Sequence, residues 1–402
     1  MRIVLSAIVV LALHAAGMQA QPASLAIVGA TVINGSGGAP LTNAVVVITG
    51  NRIAAVGPRG STTVPGGAQT IDAAGAFVVP GFVDTNVHLS LYGGMNDRYE
   101  TLVRYHDRQQ DIVLEAAQAQ LAYGITTVRD SYGMLRPLVA VRDRIAAGAS
   151  VGPRILAAGN IVGWSGPYSI SFSLTRANGL TLFQEQMNDE IAQGAGEELM
   201  GMTPPQLAKA IDAYLDKGPD FIKYGGTSHF AEPTFIGFSP DAQRVIVERA
   251  HARGKIAETH STSPEGLRLS IDAGIDGIQH PEVVDGADLS DDIVNRIREK
   301  QIICSMLVNT MTGEAWEKHL KDRADTEKKQ AEADKKTSRA RTSFEERQRA
   351  NELGVGLEVR RRNAQKLIKA GALVTVGTDN YWAAASELSR TAKPQNQDHG
   401  IG

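Results

Sequence analysis

Cys304 is the only cysteine in 402 residues, so no intramolecular disulfide can form, whatever compartment holds the chain. A surplus of one charge is also missing. Lys and Arg number 41 against 44 Asp and Glu, a formal net charge of −3. No basic field is therefore present to draw nucleic acid or an anionic membrane surface. After the first 20 residues no stretch is apolar and long enough to span a bilayer. What is left, 43% hydrophobic and 21% charged, is ordinary for a soluble globular protein. The length suits one barrel of about 250 residues plus a smaller domain.

Residues 1–20 begin with Arg2, continue through an apolar run over 3–13, and end in small residues. This is the pattern of a secretory signal peptide, cut after Ala20 or near Ala15-Ala16-Gly17. It predicts a secreted or periplasmic protein with no stable membrane insertion after cleavage. The alternative, an uncleaved anchor, requires a longer apolar run than this one. Cys304, within Ile302-Ile303-Cys304-Ser305-Met306, is expected in a buried strand.

Residues 21–79 read as a small N-terminal β-domain, an incomplete β-sandwich. Runs at 25–28, 44–49 and 53–56 are β-rich and are separated by Asn34-Gly35, Gly37-Gly38 and Gly50-Asn51. From residue 80 to 402 apolar strands alternate with helical patterns, as in a (β/α)8 TIM-like barrel of the α/β class. Strands are expected to end near His88 and to cover 126–130, 154–158, 220–224, 255–260, 277–280, 302–307 and 372–377. Helices are expected over 100–122, 138–147, 203–215, 240–253, 264–273, 289–300 and 355–370. Residues 159–202 read as a long glycine-rich loop over one face. Residues 314–352, dense in Glu, Lys, Arg and Ala, read as a solvated helical excursion. The chain stops 23 residues after Asp379, which predicts that the last helix and the C-terminal strands are missing.

One stretch organises the rest: Val78-Val79-Pro80-Gly81-Phe82-Val83-Asp84-Thr85-Asn86-Val87-His88. Strand periodicity puts Val83, Thr85 and Val87 on one face and Asp84, Asn86 and His88 on the other. Asn86 and His88 then point the same way, close enough to bind one metal ion. Later strand-like runs end in Lys223, His260, His280 and Asp379. In a barrel such strand ends gather at one face. Imidazole and carboxylate suit zinc or a similar first-row cation. A protonated lysine is a poor ligand, but a carbamate formed on it by CO2 is an anion able to bridge two ions about 3.5–4 Å apart.

These motifs resemble the amidohydrolase superfamily, in its imidazolonepropionase-like and Xaa-Pro dipeptidase-like branch. Pro80-Gly81-Phe82-Val83-Asp84 precedes the His-x-His position. Phe221-Ile222-Lys223 is similar to the carbamylated-lysine strand. Thr259-His260 with Pro264-Glu265-Gly266, Gly277-Ile278-Gln279-His280 and Val376-Gly377-Thr378-Asp379 are similar to the later motifs. The first histidine is Asn86 here, an Asn-x-His variant that resembles phenylurea hydrolases. An amide oxygen is a weaker ligand than imidazole, so one ion is expected to be held less tightly, and a single-ion site stays open. Asn86 is read either as a ligand or as a hydrogen-bonding support.

The resemblance implies one or two divalent ions held by Asn86, His88, carbamylated Lys223, His260, His280 and Asp379, with Asp379 as general base and acid. The implied reaction is hydrolysis of a C–N bond in a small-molecule amide, urea or dipeptide. Homo-oligomerisation is left open. The competing readings are an inactive, truncated metal-binding fragment, and a mononuclear imidazolonepropionase or deaminase, which Lys223 disfavours. Four further expectations concern the surroundings. Arg129-Asp130 reads as a structural ion pair rather than a substrate contact, and Tyr224 as packed behind its strand. Trp164 reads as a pocket wall or as loop packing, and His229 as reaching substrate or exposed.

Overall fold

The structure, a computed structural model, describes residues 24–92, 105–166, 169–171, 179–229, 234–307, 312–335 and 339–382. The expected signal peptide lies outside the described residues. The chain divides into two compact units, Met1–Gly81 and Phe82–Gly402.

In the first unit, β1 (Ser24–Val32) pairs antiparallel with β2 (Leu41–Thr49), and β2 with β3 (Arg52–Pro58). β4 (Gln69–Asp72) and β5 (Phe77–Val78) add to β1 in parallel. The described residues of this unit form one five-stranded sheet. Ala26, Val28, Val45 and Val47 make its core. β4 and β5 are additions to the three expected strands. They are short and largely exposed, so they carry no periodic apolar signal.

The second unit holds two parallel sheets. β6 (Phe82–Tyr92), β7 (Ile125–Asp130) and β8 (Arg154–Ala157) pair in chain order. So do β9 (Ile222–Gly225), β10 (Ala257–His260), β11 (Gly277–Gln279), β12 (Ile303–Leu307) and β13 (Val374–Gly377). The next stretch, β14 (Asn380–Trp382), pairs with β6. One run of chain, interrupted at Thr378-Asp379, therefore joins both sheets. At the other seam Val162 forms a parallel bridge with Tyr224.

Helices fill the connections: α1 (Gln109–Ala122), α2 (Leu135–Ala146), α3 (Leu182–Ala192), α4 (Pro204–Leu215), α5 (Pro240–Ala252), α6 (Pro264–Ala273) and α7 (Asp291–Glu299). Three starts are written locally. Ser239, Ser263 and Ser290 each accept a backbone N–H three residues on, and proline follows the first two. Ile246, Leu267, Ile271, Ile278 and Cys304 pack together between helices and strands, so Cys304 is buried as expected. α8 (Gly313–Asp334) and α9 (Ser343–Glu352) form the mostly exposed excursion before α10 (Val355–Lys369).

The connection read as one long loop contains α3 and a short 3-10 helix, Glu197–Gly201. Thr181 and Gln184 form a reciprocal capping box at the start of α3. That sequence signature outweighs the glycine content around it. Residues 167–168 and 172–178 of this connection lie outside the described residues, as do 100–104 of the first expected helix.

Candidate active site

β6 sets the site. Asn86 and His88 both reach Asp379: Asn86 Nδ2 donates to Asp379 Oδ1 at 2.9 Å, and His88 Nε2 stands 2.9 Å from the same oxygen. The strict alternation expected along this strand fails, because the ladder slips between Asp84 and Val87. Thr85 Oγ1 consequently reaches Ser305 Oγ at 2.7 Å and Val376 O at 2.9 Å. Val87 instead packs with Val113 and Val141.

Asp379 follows β13 with a φ of 56°, and His280 follows β11 with a φ of 41°. A non-glycine residue in this left-handed region costs on the order of 1–3 kcal/mol. The strain falls where the chain turns a site side chain off a strand end. Asp84 steadies the first of these turns by accepting from Thr378 N at 3.0 Å and Thr378 Oγ1 at 2.7 Å. Asp379 N donates to Asn86 O at 2.7 Å.

Lys223 lies within β9, only 2% exposed. Its Nζ donates to Ser131 Oγ at 3.1 Å, and Ser131 Oγ donates in turn to Asn86 Oδ1. Burial lowers the amine to about 8, against the pull of Asp379, Glu258 and Asp130. Its charge is felt at His88, His260, His280 and Asp379. His260 and His280 face each other, with Nδ1 and Nε2 3.1 Å apart.

All three histidines are buried and lowered from the usual imidazole range. Burial is the largest cause for each, and it takes His280 to about 4. Burial alone would raise Asp379. The His88 hydrogen bond and the charges of His88, His280 and Lys223 outweigh it and hold the carboxyl well below its ordinary range.

The donor set fits a cation. His88 Nδ1 stands 3.1 Å from the Tyr132 carbonyl, which accepts and so fixes the proton on Nδ1. The depressed Asp379 carboxyl calls for positive charge beside it, while burial favours neutral rings at His88 and His280. A cation beside Nε2 and the carboxylate oxygen 2.9 Å away supplies that charge with the ring neutral. His260 and His280 likewise aim two ring nitrogens at one point, while His260 Nε2 and His280 Nδ1 are buried without hydrogen-bond partners. Among the described residues the groups stand as these two pairs, and no three His, Cys, Asp or Glu side chains close on a single ion-sized point. Asn86 spends its amide on Ser131 and Asp379.

A polar layer supports the site. Glu258, two residues before His260, accepts from Arg129 at 2.5 Å and from Gln279 Nε2 at 2.7 Å. Arg129 also lies 4.0 Å over the Phe221 ring. This corrects the expected Arg129-Asp130 pair: neighbours on a strand face opposite ways, and Asp130 instead accepts from Leu89 N at 2.6 Å. Tyr224 does turn away from Lys223, bonding Gln243 Oε1 at 3.0 Å. Trp164 is buried edge-on to His260 at 4.8 Å, and His229 stacks on His260 at 5.0 Å, so both border the site. Sequence reasoning missed Ser131, Tyr132, Glu258, Gln279 and Thr378. Glu258 was findable, since it shares the strand face of His260.

The amidohydrolase family profile matches residues 77–396, and the chain belongs to that family. Ochratoxinase from Aspergillus niger is 25% identical over 293 residues, 70% of this chain and 58% of that protein. Imidazolonepropionase from Anaeromyxobacter sp. (strain K) is 24% identical over 310 residues, 66% of this chain and 63% of that one. Among solved structures, phenylurea hydrolase B aligns with a TM-score of 0.75 at 29% identity, covering 92% of this chain and 79% of its own. The chain thus spans about three fifths of the length of these curated relatives.

Proposed function

We propose that the protein is a metal-dependent hydrolase of C–N bonds in small-molecule amides, ureas or dipeptides, built on a closed (β/α)8 barrel. The reading is carried by one observation: three buried imidazoles held neutral, an ionised carboxylate and a lysine of lowered basicity meet where strands of both sheets end. The run of chain that joins both sheets supports barrel closure. His88, His260, His280 and Asp379 would hold one or two divalent ions, with zinc matching the donors. Lys223, as a carbamate, would join the residues that hold them, and Asn86 would stand beside them. When bound, the ion supplies Lewis acidity and brings a water toward a neutral pKa.

Asp379 accepts a proton from the attacking water as its oxygen bonds to the substrate carbonyl carbon. The same carboxyl returns the proton to nitrogen as the C–N bond breaks, releasing an acid and an amine. Asn86 orients Asp379 for both transfers. Trp164 and His229 wall the space beside His260. The leader at residues 1–20 goes with a secreted or periplasmic enzyme.

The test is a panel of Xaa-Pro dipeptides, N-acyl amino acids and aryl ureas. Turnover of at least one class should vanish on exhaustive chelation and return with zinc. Asp379→Ala should lower kcat by about 10^2- to 10^4-fold with an unchanged circular dichroism spectrum. Turnover that survives chelation, or near-normal kcat in Asp379→Ala, refutes the reading.

A further inference from the structure

α10 carries a cation that the hydrolytic reading does not use. Nε and Nη2 of Arg360 are shielded from solvent and donate to no described residue. Leaving such donors unmet is costly, so their place calls for an acceptor. The face on which Arg360 lies is fixed by its neighbours. Ala364 and Leu367, four and seven positions on, are buried against the core. Asn363, one turn along, clamps the loop after β11: its Nδ2 donates to Glu282 O at 3.2 Å and Ala287 O at 3.0 Å, and its Oδ1 accepts from Leu289 N at 2.8 Å.

That loop begins at His280. α10 leads from the β12 end of the fold back into β13, and its side chains tilt toward its own N-terminus. Arg360 is thereby directed toward the strand ends that bear His280 and Asp379. Its charge registers at His280, Glu282 and Asp379, with none of which it pairs. Glu282 does not satisfy it: Oε1 accepts from Leu307 N at 2.7 Å, and Oε2 is itself buried without a partner.

We propose that Arg360 is the anchor for a carboxylate on the substrate, so that the site favours N-acyl amino acids or dipeptides with a free C-terminus over neutral ureas. A guanidinium offers two parallel N–H groups to a carboxylate, and the unclaimed Nε and Nη2 are such a pair. The inference rests on the hydrolase reading for its choice among substrates, but binding tests it independently of turnover.

The probes are N-acetyl-L-leucine and its neutral twin N-acetyl-L-leucinamide, titrated by calorimetry into zinc-loaded wild type, Arg360→Met and Arg360→Lys. Wild type should bind the carboxylate about 10- to 100-fold more tightly than the carboxamide, the range of charge-assisted hydrogen bonds. Arg360→Met should erase that preference while leaving carboxamide affinity unchanged, and Arg360→Lys should retain part of it. Equal affinities in wild type, or a preference that survives in Arg360→Met, overturns the proposal. An Arg360-dependent preference without turnover would leave the anchor standing and refute only the hydrolase reading.

Discussion

Lys223 makes a measurable claim about stability. The folded chain holds its amine at about 8 where an unburied lysine sits at 10.5, mainly through burial. Below pH 8 the amine is charged in both states, and the folded state bears the full difference, about 3 kcal/mol at 1.36 kcal/mol per unit. Between pH 8 and 10.5 the unfolded chain binds the extra proton, so the penalty shrinks as pH rises and is gone above 10.5. Lys223→Met fills the same space without a charge. It forfeits the hydrogen bond to Ser131, worth about 1 kcal/mol.

Chelated, CO2-free Lys223→Met should therefore be more stable than wild type by about 2 kcal/mol at pH 7. At pH 9.5 the advantage should have all but disappeared. Urea unfolding at the two pH values reads both numbers. A variant no more stable than wild type at pH 7, or a gap that does not narrow with pH, refutes the argument. The same burial has a chemical effect. At pH 7 roughly one amine in ten is unprotonated, on the order of 300 times the fraction of an ordinary lysine, and only the unprotonated amine can add CO2. On the proposed role of Lys223, stability is given up where reactivity is gained.

Two further outcomes follow from the surroundings of the site. Glu258→Ala strands Arg129 and Gln279 inside the fold; urea unfolding should show a loss of about 3–5 kcal/mol, much of it recovered in Glu258→Leu/Arg129→Met. Gly225→Ala would put a methyl group inside the contact radius of the Trp164 indole; kcat/KM should fall at least tenfold, with a smaller effect on Tm than that of Glu258→Ala.

Much of this was legible because parallel strands repeat a simple grammar. Apolar runs ending in His260, His280 and Asp379 marked strand ends, and the run ending in Lys223 marked a strand that continues to Gly225. The helices expected from 240 and 264 begin at Pro240 and Pro264. What escaped depends on departures from that grammar. A ladder slip in β6 sends Thr85 toward Ser305, and no residue pattern marks it. Arg129 chose Glu258, 129 positions away, over its neighbour Asp130. Such pairings belong to tertiary register, which a local period cannot encode. α3 was hidden by the glycine content of its flanks although its capping box was written out. Asn86 could be assigned to the site but not to its role, because an amide serves equally as ligand and as support.

The crossing of Thr378-Asp379 from one sheet to the other has a bearing on how the molecule becomes active. Five of the six residues gathered here come from segments that precede it, and any of them can be in position while the last described strand is still unpaired. The acid–base group of the proposed reaction arrives only when the chain after β13 pairs with β6, so the same event fastens the two sheets together and completes the proposed site. Under the proposed mechanism, a nascent or partly opened molecule would hold its imidazoles in place without the carboxylate that moves the proton.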